Sequence, residues 1–183
     1  LALSMIERYL LIALALLSNM LIARLLTPAE IGLYSVTLAV VSLAHMVRDF
    51  GIGSFLIQHT DLQERHIRTA FGVMLIIGVL LFTGFFVAGP WAARFYKDVR
   101  VGEALQICAL NFLVLPFCSI SMSLLRREMR FDRVAILSVS GAVAGAAATL
   151  SLAWAGFGPN ALAIGSLATN VVVGLVAWWM RRD

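Results

Sequence analysis

Charged side chains are scarce in this sequence. They make up 13% of its 183 residues, whereas 61% of the residues are hydrophobic. A soluble domain usually carries about twice that share of charge, which it needs to cover a surface exposed to water. Helices that cross a bilayer need almost none. The composition therefore predicts an integral membrane protein.

Cysteine is scarce too: Cys108 and Cys118 lie ten positions apart in one apolar run. On a helix, ten residues span about 15 Å, which is beyond the reach of a disulfide. Free cysteine behaves as a small apolar residue and is commonly buried. We interpret both cysteines in this way.

Catalytic and cofactor motifs are absent from the sequence. It contains no H-E-x-x-H, no P-loop, no nucleophile elbow and no pair of carboxylates inside an apolar run. We therefore predict that the protein is not an enzyme and uses no cofactor or metal. The net charge is +4, but the basic residues form short clusters between apolar runs. The positive-inside rule of membrane proteins explains that pattern better than binding to nucleic acid.

Six apolar runs account for most of the chain. Thr27-Pro28-Ala29-Glu30 has the composition of a helix start, and residues 156–160 contain two glycines and a proline that break the last uncharged stretch. Pro90 and Trp91 are expected to end the third run. The predicted fold is all-α, a single transmembrane lobe over residues 1–183. Its six predicted spans are residues 5–26, 31–47, 69–91, 104–125, 134–155 and 161–180.

Basic residues are divided unevenly between the two sides of this predicted bundle. If the N-terminus lies inside, ten of the 14 Lys and Arg residues fall in inner segments and four in outer segments. The bias predicts that both termini are cytoplasmic. The four outer residues are Arg24, Arg94, Lys97 and Arg100.

Arginines also flank the first two predicted spans, where Arg24 and Arg48 lie at their ends. Such residues are either anchors at headgroup level or a site for an anion, because a guanidinium binds phosphate through two hydrogen bonds. A transporter of organic cations is expected to carry carboxylates deep in its spans, and none lies there. Gly51 and Gly53, which follow Arg48, are expected to loosen the backbone.

The strongest charge cluster is LRREMRFDR at residues 125–133. One interpretation is a cytoplasmic anchor. The other is a contact with anionic lipid headgroups or with a substrate phosphate. The candidate residues for that contact are Arg126, Arg127 and Arg130.

The fifth apolar run is rich in small residues. Gly141 and Gly145 form a GxxxG pattern, which allows two helices to approach closely. We predict that these glycines form a helix-packing face. The alternative is that they face lipid, since glycine is common in membrane spans.

Five short sequence words occur in order along the chain. They are ARLLTP-E-GLY at 23–34, RDFGIGSFLIQ at 48–58, RTAFG at 68–72, LLRREMRF at 124–131 and GFGPNAL at 156–162. Through these words the chain resembles the oligosaccharide and polysaccharide (Wzx-type) flippases of the multidrug/oligosaccharidyl-lipid/polysaccharide exporter superfamily. The resemblance implies one six-helix lobe of a two-lobe MATE-like flippase, namely the N-terminal lobe.

The resemblance also implies a function. Such flippases move a polyprenyl-pyrophosphate-linked oligosaccharide across the bacterial inner membrane by alternating access, for the biosynthesis of O-antigen, capsule or exopolysaccharide. Basic residues on the first two helices are thought to meet the anionic headgroup, and by position these are Arg24 and Arg48. The implied partners are the lipid-linked oligosaccharide, membrane lipids, and a missing C-terminal lobe or a second copy.

Two other functions stay open. One is a cation or drug antiporter of the same superfamily, against which the absence of deep carboxylates argues. The other is a non-transporting membrane scaffold, in which a six-helix half without its partner lobe would only pack against other proteins. The sequence does not indicate which sugar chain would be carried or which energy source would drive transport.

Overall fold

A computed structural model describes residues 2–48 and 64–180, where every regular element is an α-helix. Six helices in these ranges are long and apolar enough to cross a membrane. The predicted six-helix membrane bundle is thereby confirmed, and the protein is a multi-pass membrane protein. Gly51 and Gly53 lie outside the described residues. The helices are α1 (Ala2–Leu25), α2 (Pro28–Arg48), α3 (Glu64–Tyr96), α4 (Val99–Arg127), α5 (Phe131–Trp154) and α6 (Pro159–Met180).

Helix α3 differs most from its predicted span, because it continues through Pro90 to Tyr96. The expectation that Pro90 ends this helix is therefore wrong. Proline has no N–H, so the carbonyl four residues earlier, that of Phe86, loses its intrahelical donor. Gln106 of α4 replaces that donor, since its Nε2 donates to the Phe86 oxygen at 3.2 Å. A proline is tolerated in a membrane helix when a neighbour satisfies the freed carbonyl in this way.

Pro116 interrupts the hydrogen-bond ladder of α4 in the same manner and frees the carbonyl of Phe112. Gly78 of α3 packs against that carbonyl, and a Cβ added to Gly78 would lie 2.5 Å from the Phe112 oxygen. Only a residue without a side chain permits such an approach. The contact between α3 and α4 is the most extensive in the described bundle. In this contact each helix supplies a residue that packs against the carbonyl freed by the other helix's proline.

Helix α4 lies at the centre of the bundle and contacts α2, α3, α5 and α6. Of its membrane-crossing window 44% is buried, compared with 0% for α1. Helix α1 lies at the edge and packs chiefly on α5. Most side chains of α1 are therefore exposed to lipid or to another protein, whereas many side chains of α4 pack against neighbouring helices.

A capping box starts α2. The Thr27 backbone N–H donates to Glu30 Oε2 at 2.8 Å, and the Glu30 N–H donates to Thr27 Oγ1 at 3.4 Å. Pro28 occupies the first helical position, where its missing N–H has no intrahelical partner to lose. The predicted helix start at residues 27–30 is confirmed.

Left-handed residues close three of the helices. Lys97 (φ 55°), Met129 (φ 52°) and Gly156 (φ 84°) follow α3, α4 and α5. In each case the N–H of the left-handed residue and the N–H of the residue after it donate to carbonyls of the last turn, which is the Schellman arrangement. After Gly156 the chain passes through a second left-handed glycine, Gly158, and α6 begins at Pro159. The predicted break at residues 156–160 is confirmed.

A polar network ties together the N-terminal ends of α2, α4 and α6. Arg100 Nη1 lies 3.8 Å from Glu30 Oε1, and Asn160 Nδ2 donates to Glu103 Oε2 at 2.8 Å. The turn before α6 also rests on α2, since a Cβ added to Gly158 would lie 2.9 Å from Glu30 Oε1. These three helices are therefore parallel and aligned at one end of the bundle.

Candidate functional site

Helix α2 carries a cation into the apolar bundle. Its last residue, Arg48, is 4% exposed. The Arg48 charge acts on the thiol of Cys118 in α4, so the two groups are close. A charged side chain inside a membrane bundle is costly, and it commonly marks a functional site. Arg48 continues one buried helical face, which consists of Thr37, Val41, Ala44 and Arg48.

The depth of Arg48 follows from its neighbour on α4. Cys118 lies nine positions before the last helical residue, Arg127, or about 13 Å along the helix axis. The 29 residues of α4 extend about 43 Å, roughly 13 Å more than a hydrocarbon core of about 30 Å. With the excess shared between both ends, Cys118 lies about 7 Å inside the core. If α4 is centred in this way, the Arg48 guanidinium, which lies near Cys118, is expected below the headgroup level.

Polar side chains continue from Cys118 along the contact between α4 and α6. The Cys118 thiol donates to the Asn170 carbonyl at 3.0 Å, and Asn170 Nδ2 donates to Asn111 Oδ1 at 2.8 Å. Asn111 Nδ2 donates to Ser166 Oγ at 3.1 Å, and the Tyr34 hydroxyl of α2 lies near Ser166. We term Tyr34, Asn111, Cys118, Ser166 and Asn170 the polar seam.

The seam satisfies groups that would otherwise be costly to bury. Asn111 is 3% exposed, and its amide donates to one residue of α6 and accepts from another. The Ser166 hydroxyl donates a hydrogen bond to the Ala163 carbonyl at 2.7 Å. A buried amide without such partners costs several kcal/mol in an apolar medium. The bonds therefore specify how α4 and α6 pair, and α2 covers the seam from the side that carries Tyr34 and Arg48.

The seam was not found from the sequence because its members lie on different helices. Asn111 and Asn170 are 59 positions apart, and nothing local indicates that they meet. An available signal was the presence of a lone asparagine in an uncharged apolar run, since such a residue needs a partner. For the burial of Arg48, the available signal was its helical spacing from Ala44, Val41 and Thr37, which places all four residues on one face of α2.

The two arginines predicted to bind an anionic headgroup lie far apart. Arg24 is exposed in the last turn of α1, and Arg48 is buried at the end of α2. The 21 residues of α2 separate them by about 30 Å. One phosphate group cannot contact both residues at once, so they can serve only successive positions of a ligand.

The arginine cluster after α4 is divided between two environments. Arg126 is exposed and Arg127 is half-buried. Arg130 is exposed as well, and it lines a cavity of about 300 Å³ at the ends of α4 and α6. Arg133, which was not among the predicted contacts, lines the same cavity together with Glu128. We term this space the arginine cavity.

Gly141 and Gly145 are both buried, and both lie against α6. A Cβ added to Gly141 would lie 2.5 Å from Val173 Cγ2, and one added to Gly145 would collide with the Thr169 hydroxyl. The arrangement is reciprocal, because a Cβ added to Gly165 of α6 would meet the Gly145 carbonyl at 3.1 Å. The backbones of α5 and α6 are therefore in direct contact along this face.

A larger open groove of about 690 Å³ lies between parts of α1 and α5. Its lining is mainly apolar, with Glu7 and Asp132 as its charged members. Asp132 belongs to the same first turn of α5 that carries Arg133. The start of α5 thus sorts charge by face, with a carboxylate on the side of α1 and guanidinium groups on the side of α4 and α6.

Metal binding has no visible basis in residues 2–48 and 64–180, which contain no group of three His, Cys, Asp or Glu side chains placed to hold an ion. His45 instead packs its ring against Phe112, with the ring centroids 4.9 Å apart. Arg48 and the polar seam place a charged group and mutually hydrogen-bonded polar groups together within the bundle.

Membrane-crossing helices that enclose a guanidinium and a hydrogen-bonded polar seam define a polytopic membrane protein with a partly polar interior. The chain belongs to the family described as polysaccharide biosynthesis protein, whose family model matches residues 21–182. Family membership confirms the resemblance carried by the sequence words at residues 23–34, 48–58, 68–72, 124–131 and 156–162.

Three relatives illustrate the family. The lipopolysaccharide biosynthesis protein WzxC of Escherichia coli is 23% identical over 98% of this chain. The teichuronic acid biosynthesis protein TuaB of Bacillus subtilis is 30% identical over 52% of it, and the succinoglycan biosynthesis transport protein ExoT of Rhizobium meliloti is 30% identical over 75%. The chain spans 36%, 20% and 28% of the lengths of these relatives. No solved structure matches it.

Proposed function

We propose that this chain is part of an exporter that moves a polyprenyl-pyrophosphate-linked oligosaccharide across the bacterial inner membrane, for the assembly of O-antigen, capsule or exopolysaccharide. The observation that carries the proposal is Arg48, a cation held inside an apolar bundle beside a polar seam. The relatives, which are named for the biosynthesis of lipopolysaccharide and teichuronic acid and for succinoglycan transport, support the polysaccharide part.

Alternating access in this proposal depends on a movement of α2. Only 17% of its membrane-crossing window is buried, against 44% for α4. Its N-terminal end is held by the Glu30 network, while Arg48 lies at the other end. A hinge-like separation of that end from α4 and α6 would open Arg48 and the seam to a cavity. The pyrophosphate would meet Arg48 first, and the exposed Arg24 later.

The bundle is proposed to work with a second lobe, either the C-terminal lobe of a longer chain or a second copy. The short share of each relative that this chain spans supports the first form. An antiporter of organic cations is the weaker alternative, because the ionisable group that α2 buries is an arginine rather than a carboxylate.

Both termini are proposed to be cytoplasmic, as the bias of basic residues predicts. Reporter fusions at Asp98, in the turn between α3 and α4, and at Arg130, in the turn between α4 and α5, test this orientation. We expect the two reporters on opposite sides, with Arg130 inside, because one membrane-crossing helix separates them. Activity of both reporters on the same side would overturn the orientation.

The role of the arginines is tested by complementation of a flippase-deficient strain with the full-length gene carrying Arg24→Ala or Arg48→Ala. A charge-assisted contact with phosphate contributes about 1.5–3 kcal/mol, so we expect each change to weaken headgroup binding roughly tenfold to hundredfold and to reduce export. Arg→Lys keeps the charge but loses the planar fork, and we expect it to rescue export only in part.

Controls separate binding from folding. Arg94, an exposed arginine in the last turn of α3, is a matched control for Arg24, and Arg94→Ala should export normally. Arg48→Met replaces a buried charge by an apolar side chain of similar length, a change that is often neutral for stability. We expect normal membrane levels of this variant and no export. If Arg24→Ala and Arg48→Ala export normally at normal levels, both residues are anchors.

A further inference from the structure

We propose that the arginine cavity binds the phosphodiester group of an anionic membrane phospholipid. Arg130 and Arg133 line it from the start of α5, and Met180 lines it from the end of α6. This binding site is distinct from Arg24 and Arg48, and the inference does not depend on the proposed export function.

The charge and geometry of the cavity favour an anion with two acceptor oxygens. Arg130 and Arg133 are one helical turn apart, so their side chains are neighbours. Arg133 Nη1 donates to the Met180 carbonyl at 3.0 Å, which holds this guanidinium in place over the end of α6. A guanidinium has five N–H donors, so this one bond leaves most of them available. The N-terminal end of α5 adds a partial positive charge at the same place, and Arg133 offsets the partial negative charge at the C-terminal end of α6.

The net charge of the side chains that line the cavity indicates which type of phosphate group it binds. Among the residues that the structure describes, two guanidinium groups and one carboxylate, that of Glu128, line the cavity. The resulting single positive charge matches a phosphodiester, which carries one negative charge. A pyrophosphate carries more than one negative charge and would leave the Glu128 carboxylate opposed to an uncompensated anion.

The apolar part of the cavity indicates that the anion is carried by a lipid. Leu124, Leu125 and Ala177 form one side of it, and the cavity lies at the helix ends, where headgroups meet the acyl region. Its volume of about 300 Å³ is about ten times that of a water molecule. The space therefore accepts a phosphate together with the first carbons of the chains attached to it.

The test is binding of phosphatidylglycerol to the purified full-length protein in detergent, followed by native mass spectrometry and by the rise in melting temperature. We expect phosphatidylglycerol to bind, and zwitterionic phosphatidylcholine to bind at least tenfold more weakly. Arg130→Gln should weaken phosphatidylglycerol binding roughly tenfold to hundredfold, the effect of one charge-assisted contact. Arg126→Gln changes an arginine of the same cluster that is equally exposed but is not among the residues that line the cavity. It is the matched control and should change binding less than twofold.

Removal of a carboxylate gives a test of opposite sign. Glu128→Gln should tighten phosphatidylglycerol binding severalfold, because it removes the negative charge that lines the cavity. Asp132→Asn removes the same charge from the groove on the other side of α5 and should have a smaller effect. Equal tightening by both changes would indicate a general surface potential and overturn the site.

Other outcomes also decide the proposal. Equal weakening of phosphatidylglycerol binding by Arg126→Gln and Arg130→Gln would show that diffuse surface charge, rather than the cavity, attracts the lipid, and would overturn the site. Tighter binding of inorganic pyrophosphate than of phosphatidylglycerol would overturn the phosphodiester assignment. Melting of Arg130→Gln without lipid shows whether the variant is folded. If Arg130→Gln is not folded, Arg130→Lys is used instead. Full phosphatidylglycerol affinity of the folded Arg130→Lys variant would contradict a contact in which the Arg130 guanidinium binds the phosphate through two hydrogen bonds.

Discussion

Helix α6 packs against two neighbours by two different means. Towards α4 it presents Ser166 and Asn170, which hydrogen-bond to side chains of the polar seam. Towards α5 it presents Gly165 and Thr169, which meet the glycines of α5 at backbone distance. One face is therefore joined by specific polar bonds and the other by shape.

The difference reflects the solvent of the bundle. In lipid, apolar side chains gain little by leaving their surroundings, so helices associate through close packing and through interhelical hydrogen bonds. Close packing tolerates no added volume but depends little on polarity. Hydrogen bonds tolerate small shifts but leave a buried polar group without a partner when one member is lost. The two faces of α6 should therefore respond to different substitutions.

The largest effect is expected at the glycine face. Gly145→Leu places a side chain where the Thr169 hydroxyl and the Gly165 carbonyl already lie, and Gly141→Leu meets Val173. Overpacking of this kind costs about 1–3 kcal/mol when the structure can adjust, so the melting temperature in detergent should fall clearly for both variants.

The control for this change is Gly84→Leu in α3, a position that is exposed and has no atom within 4 Å of an added Cβ. Its melting temperature should stay near that of the unmodified protein. Equal melting of Gly141→Leu, Gly145→Leu and Gly84→Leu would mean that the glycines of α5 face lipid.

A smaller effect is expected at the polar face. Asn111→Leu removes an amide of similar size that bonds to Ser166 and Asn170. Interhelical hydrogen bonds in membrane proteins contribute about 0.6 kcal/mol on average and up to about 1.7 kcal/mol. We expect a loss of stability within that range, measured as the free energy of unfolding in mixed micelles. Asn170→Leu in the same background should cost less than it does alone, because the two residues share one bond.

Asn19→Leu is the matched control for the polar face, because Asn19 is exposed on α1 and lies away from the seam. Its unfolding free energy should not fall. Additive losses in the Asn111→Leu and Asn170→Leu double variant would show that the bond between these residues contributes nothing to pairing of α4 with α6.

Local signals in the sequence were sufficient for the helices themselves. The capping box of Thr27 and Glu30, the left-handed Gly156 and the proline that begins α6 all act through residues within a few positions of one another. The length and polarity of the apolar runs likewise predict helices that cross a bilayer, because every backbone group in lipid must be satisfied within the helix. The family membership also rests on such local words.

Pro90 shows where local reasoning fails. Pro90 and Trp91 were expected to end the third apolar run, yet the helix continues because Gln106 reaches the freed carbonyl from another helix. The depth of Arg48, the meeting of Asn111 with Asn170, and the division of Arg126 from Arg130 and Arg133 are of the same kind. Each depends on which helical faces meet.

By itself, the sequence determined the solvent, the number of membrane-crossing helices in the described ranges, most of their ends and the family. The tertiary structure alone decided which polar groups are buried together and which arginines share a cavity. The physical reason is one of range. Helix formation in lipid depends on each residue and its nearest neighbours along the chain, whereas the partner of a buried polar group is set by side chains many positions away.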